Sequence, residues 1–315
     1  MRPTSPRPTT AFAALVALLS VLGLAAPAMA ADGDTWTVAT ASNDLGHGRQ
    51  NYTYALDPGG ELKDGLTVDN PGTTPLHLSV YAADAFTGDG GQLDLRTRDA
   101  EQKGLGAWIR PEQADVTVQP GTSAEVPFTL TVPDGAAPGD YMGGIVTTPA
   151  GGDGTQRRGI RVWLRVGGTL EPRLSVQDVR VDYTGTANPL GTGEATVTYT
   201  VRNTGNAIVS ARQQVSLSGP FDSLTVDAGK VADTPELLPG DRWKVSVPVS
   251  GVAPALRLTG KVHVVPLLTD AANSITPLAP VVSTAYAWTI PWAVVGALVV
   301  VCALIGYAVR RRRRA

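Results

Sequence analysis

The 315-residue sequence has one cysteine and three histidines, and each scarcity removes a class of function. The cysteine, Cys302, falls in a long apolar run near the end. The rest of the chain therefore has neither a disulfide framework nor a thiol nucleophile, and a zinc site of three or four thiolates is excluded. His47, His77 and His263 lie in separate segments with no metal-ligand spacing, and a lone histidine on a strand surface is the ordinary reading of each. No Gly-x-Ser-x-Gly elbow, Ser-x-x-Lys pair or phosphate-cradling glycine loop occurs, so nothing supports catalysis or a cofactor. Gly88-Asp89-Gly90-Gly91 lacks the spaced carboxylates of a calcium loop and reads as a hairpin connection. Helical periodicity is also missing: no stretch between the two ends holds a 3.6-residue period for three turns.

The two ends carry what the middle lacks. Arg2 and Arg7, the apolar stretch Ala11 to Ala25 and Ala28-Met29-Ala30 read as a secretory signal over residues 1–30. Trp288 to Val309 is uncharged and rich in Val, Ala, Leu and Ile, with Tyr286, Trp288 and Trp292 clustered at its start. That pattern predicts a transmembrane helix over 286–309. Arg310 to Arg314 would hold residues 310–315 on the cytoplasmic side. The expectation is a single-pass cell-membrane protein, N-terminal domains extracellular and C-terminus cytoplasmic. All 28 acidic residues but only 19 of the 26 basic ones lie between the two ends, a net charge of −9. Such a balance argues against nucleic acid or an anionic lipid surface as partner.

Between the ends the period is two. Leu76, Leu78 and Val80 alternate with His77, Ser79 and Tyr81. Val126, Phe128, Leu130 and Val132 alternate with polar residues or proline, and so do Ala195, Val197, Tyr199 and Val201. Each run places its apolar set on one side of a pleated strand. Asp57-Pro58-Gly59-Gly60, Asn70-Pro71-Gly72, Pro138-Gly139-Asp140 and Asn203-Thr204-Gly205-Asn206 supply tight turns between the runs. The predicted class is all-β: two immunoglobulin-like β-sandwich domains, 31–168 and 169–266, with a hinge at Gly167 to Pro172. A polar, proline-punctuated stalk over 267–285 would lead to the C-terminal transmembrane helix.

One local pattern suggests a ligand surface. In the run Arg157 to Arg165, the side chains of Arg161, Trp163 and Arg165 should share a strand face. Guanidinium planes beside an indole make a cation–π shelf that can hold a sugar ring or a carboxylate. The plainer reading is that arginine stems cover Trp163 to shield it from water.

The first domain resembles the N-terminal domain of the WxL-interacting protein family of Gram-positive bacteria. The resemblance is carried by Asn70 to Ala85, by a block from Trp108-Ile109 through Val118-Gln119-Pro120-Gly121 to Val132-Pro133, and by Pro138 to Val146. An excess of Arg over Lys, 21 to 5, suits an actinobacterial-like member. The resemblance implies a cell-surface protein that binds peptidoglycan or another cell-wall polymer through the first domain and presents the second to a surface-protein partner. It also adds Tyr81 and Asp84, in the first block, to the ligand candidates. A structural or adhesive spacer, or an accessory subunit of a membrane complex, is the alternative.

Overall fold

The computed structural model describes residues 36–152, 155–185, 191–269, 274–290 and 292–313. Its architecture is all-β, of the immunoglobulin-like sandwich kind, and the alternating runs are its strands. The expected signal at 1–30 lies outside the described residues.

The first sandwich contains β1 (Thr37–Thr40), β2 (Tyr52–Leu56), β3 (Glu61–Asn70), β4 (Leu76–Thr87) and β5 (Leu93–Leu95). A single helical turn, α1 (Leu105–Trp108), precedes β6 (Ile109–Pro111), β7 (Asp115–Val118), β8 (Thr122–Thr131), β9 (Gly139–Pro149) and β10 (Arg158–Val166). One sheet has the order β1-β3-β8-β6; the other has β2-β10-β9-β4-β5, with β7 also paired to β4. Leu66, Val68, Val126, Phe128 and Leu130 of the first sheet bury against Leu78, Val80, Ile145, Val162 and Leu164 of the second. Period-two alternation is what lets each strand supply one such face. Trp36, 2% exposed, bridges the layers by donating its indole N–H to Thr147 Oγ1 at 2.7 Å. At the Asp57–Gly60 turn, the Gly60 amide donates to the Asp57 carbonyl at 2.9 Å. Gly59 adopts φ +78°, which a Cβ would strain.

The second sandwich contains β11 (Leu174–Thr184), β12 (Gly193–Asn203), β13 (Val209–Ser218), β14 (Val226–Asp227), β15 (Arg242–Val252) and β16 (Arg257–Thr269). Two further strands, β17 (Ile275–Pro277) and β18 (Val281–Trp288), complete it. Its sheets are β11-β12-β15 and β14-β13-β16-β17, with β18 paired to β16. Tyr199 of β12 crosses the core and donates to Gln213 Oε1 on β13 at 2.8 Å, and burial pushes its phenol up to about 12.

Two expectations about the C-terminal part need correction. The stalk at 267–285 is instead largely strand: β16 runs on to Thr269, and β17 and β18 both pair with it. Small residues make this possible. Ala285 and Ala287 of β18 pack on the second core, while Val282, Tyr286 and Trp288 of the same strand are exposed. The membrane span is the second correction. Helix α2 (Trp292–Arg312) follows β18, but among the described residues no helix is long and apolar enough to cross a membrane. From Trp292 to the first arginine, Arg310, the helix has eighteen uncharged residues. At about 1.5 Å per residue these cover about 27 Å, short of a hydrocarbon core of about 30 Å. The single-pass localisation, with its outer domains and cytoplasmic tail, falls with the span.

Candidate functional site

The candidate residues converge on the junction between the two sandwiches. In β10, Ile160, Val162, Leu164 and Val166 face the first core. Arg161, Trp163 and Arg165 therefore share the opposite face, as the alternation requires. That face turns toward the second sandwich. Trp163 packs on a small apolar cluster of Ala85, Met142, Ile208 and Leu238, drawn from both sandwiches. The Arg165 guanidinium lies 5.5 Å from the centre of the Trp163 ring and grips Asp140 with two bonds, at 2.7 and 3.0 Å. Arg161 forms an ion pair with Glu236 at 3.6 Å, both side chains remaining about half exposed. The shelf geometry is present, but loop residues of the second sandwich occupy much of it. Trp163 Nε1 is buried without a hydrogen-bond partner, beside a pocket of about 150 Å³ shared with Arg161, Ser210 and Glu236.

Asp140 was not singled out by sequence, and it organises the junction. Its side chain is fully buried, and beyond Arg165 it accepts the Ile208 amide at 2.9 Å. Its own backbone N–H donates to the Asn206 carbonyl at 2.7 Å. Asn206 completes the lock: its Nδ2 donates to the carbonyls of Pro138 and Thr169, each at 2.9 Å, and its Oδ1 accepts the Glu171 amide at 2.6 Å. The expected hinge at Gly167 to Pro172 is thus fastened down. Close approach depends on Gly139, at φ +143°, where a Cβ would collide with the Asn206 carbonyl. Elsewhere on the junction Thr87 Oγ1 donates to Asp241 Oδ2 at 2.5 Å. The β4–β5 hairpin, closed at Gly88–Gly91, brings Gly91 against Pro235 and Trp243.

Asp84, on β4, accepts backbone amides from Lys103 (2.6 Å), Gly104 (3.0 Å) and Gly106 (2.7 Å). The sequence offered it as a ligand contact. Its oxygens are instead occupied in fastening the loop that carries α1. Tyr81, partly buried on the same strand, sits opposite Val146 of β9.

Beside Asp84 opens the larger cleft of the junction, about 600 Å³. Arg96, Glu101, Lys103 and Tyr141 line it from the first sandwich, and Asn206, Leu238 and Pro239 from the second. Tyr141 leans on Trp108 with ring centres 4.5 Å apart. Lys103 and Glu101 form a 3.3 Å pair that is about three-quarters exposed at both partners. No group of three or more His, Cys, Asp or Glu that could hold a metal ion occurs among the described residues.

No protein-family model and no curated protein matches the chain. Among solved structures it is similar to the class 5 fimbriae chaperone CfaA, at 9% identity and a TM-score of 0.38 over 79% of this chain and 98% of that one. It is also similar to the CupB2 chaperone of Pseudomonas aeruginosa, at 12% identity and a TM-score of 0.32 over 77% and 98%. A family 123 glycoside hydrolase from Clostridium perfringens matches at 13% identity and a TM-score of 0.32, over 43% of this chain and 28% of that one. The chain therefore spans less than a third of the hydrolase. At these values the likenesses carry no argument about activity or partner.

The junction packing makes a direct prediction for Trp163. Its replacement by alanine is expected to lower unfolding stability by about 1–3 kcal/mol, because the indole fills the cluster around Met142 and Ile208. Denaturant unfolding measures it, and a change within about 0.5 kcal/mol would mean the ring is not packed as described.

Proposed function

We propose that the chain is a non-enzymatic binding protein that holds a cell-wall polymer, peptidoglycan, with its first sandwich and presents its second to a protein partner. The observation that supports this most is where the family-like blocks lie. Asn70 to Ala85 and Pro138 to Val146 cover most of β4 and β9, which pair along Leu78–Asp84 and Gly143–Pro149. Their junction ends, at Asp84–Ala85 and Pro138–Met142, help line the 600 Å³ cleft. Two segments separated in sequence thus meet at one concave surface, the usual setting of a ligand site. Glycans with attached peptides offer sugar faces and carboxylates, which suit Tyr141 and the cations Arg96 and Lys103.

A spacer reading also has a specific observation in its favour, the density of polar bonds at Asp140 and Asn206. Co-sedimentation with isolated cell-wall sacculi separates the two. A wall-binding protein pellets in proportion to added sacculi, whereas a spacer stays in the supernatant.

A further inference from the structure

We infer that the junction cleft is a composite site for a carboxylate-bearing glycopeptide, completed only when the second sandwich is docked. This rests on the wall-binding reading and adds where the ligand lies and that both sandwiches contact it.

Three observations carry the inference. The first is that the cleft walls are held by hydrogen bonds to Asp84, Asp140 and Asn206. Asp84 fixes the Lys103–Gly106 backbone through three amides, and Asp140 with Asn206 fixes the facing loop of the second sandwich. A site with fixed walls loses little freedom on binding, which favours affinity. The second is the chemistry on the two sides. Arg96 and Lys103 are exposed on the first-sandwich wall beside Tyr141, while Leu238 and exposed Pro239 form an apolar wall on the second. Cations beside a ring and an aliphatic surface suit a ligand with a carboxylate next to a sugar or alanyl face. The third is that no strong internal partner holds Lys103. Its pair with Glu101 is exposed, and such pairs contribute little, so a ligand carboxylate can compete for it. Asp84 and Asp140, the other acids of the lining, are already engaged by amides and by Arg165. At about 600 Å³ the cleft has the size of ordinary small-ligand pockets.

The test uses the full chain and muramyl dipeptide, an N-acetylated sugar acid joined to a dipeptide with one free carboxylate, titrated by calorimetry. One variant changes each wall: Lys103→Glu on the first sandwich and Pro239→Glu on the second. Both sites are exposed, so both proteins should melt within a few degrees of the parent; Lys103→Met and Pro239→Ser replace either that does not. The expected result is that each substitution weakens binding about tenfold or more: Lys103→Glu sets a carboxylate against the ligand's own, and Pro239→Glu puts a charge on the apolar wall that meets the sugar or alanyl face. Amidating the ligand carboxylate should weaken binding to the parent and largely erase the Lys103→Glu effect. Loss with Lys103→Glu but not Pro239→Glu would overturn the composite site and leave the wall-binding reading intact. Full affinity in both variants would remove the cleft as the site. Parent protein that binds sacculi but not the dipeptide would overturn the ligand class, and failure on both would defeat the underlying reading.

Discussion

Replacing Asp140 with alanine is expected to destabilise the protein by about 3–5 kcal/mol, the range for breaking a buried, hydrogen-bonded ion pair by removing one partner. The carboxylate is fully buried and accepts two bonds from Arg165 and one from the Ile208 amide. Truncation removes these acceptors at once and leaves the Ile208 amide buried at the junction without its bond to Asp140. Asparagine keeps one acceptor and should cost less. Denaturant unfolding of the parent and both variants measures the order. Because Asp140 joins the sandwiches, the alanine variant should also unfold less cooperatively, the second sandwich separating from the first. A loss below about 1 kcal/mol, with one unchanged transition, would show that the junction does not depend on this group.

A comparable effect is expected at a second buried acid of the first sandwich. Asp64 of β3 is buried and accepts both guanidinium nitrogens of Arg49, at 2.6 and 2.9 Å. It also accepts the Tyr54 hydroxyl at 2.6 Å, Asn43 Nδ2 at 2.7 Å and the Gly65 amide at 2.7 Å. Burial pushes its carboxyl up, but the bonds from Arg49, Tyr54, Asn43 and Gly65 outweigh burial and hold it below the usual carboxylate range. Burial and the same carboxylate push the Tyr54 phenol well above its ordinary value, so it stays a donor. Asp64→Ala should therefore cost about 3–5 kcal/mol near pH 7.

The pH dependence follows from the sign of the shift. A carboxyl held lower in the folded state contributes stability that is present above its unfolded pKa, about 3.9, and is lost as pH falls through the lower folded value. The stability difference between parent and Asp64→Asn should be constant from about pH 7 to 5 and shrink below about pH 4. A difference that grew on acidification would reverse the assignment.

How much of this was legible in the sequence depended on the range of the cause. Strands such as Val126 to Leu130 and Ala195 to Val201 were readable because alternation is local and each apolar residue faces one core. Strand β18 was not, because its inward residues include Ser283, Ala285 and Ala287, whose small side chains carry a weak apolar signal. The common face of Arg161, Trp163 and Arg165 could be read from spacing alone. What covers that face could not, since Ile208 and Leu238 arrive from another sandwich. Asn203-Thr204-Gly205-Asn206 was readable as a turn, yet the bonds of Asn206 to Pro138 and Thr169 depend on the docked arrangement. Asp64 gave no signal, because a single acid inside a strand reads as a solvated residue until its partners are known, and Asp140 was readable only as part of the turn Pro138-Gly139-Asp140.

The central claim, that this chain binds the cell wall through the cleft beside β4 and β9, is tested most directly by competition on sacculi. The full chain is sedimented with purified sacculi, with and without excess soluble peptidoglycan fragments, beside the Lys103→Glu variant. The account predicts that the parent pellets saturably, that the fragments release it, and that the variant stays largely in the supernatant at an unchanged melting temperature. A parent protein that remains soluble at every sacculus concentration would contradict it.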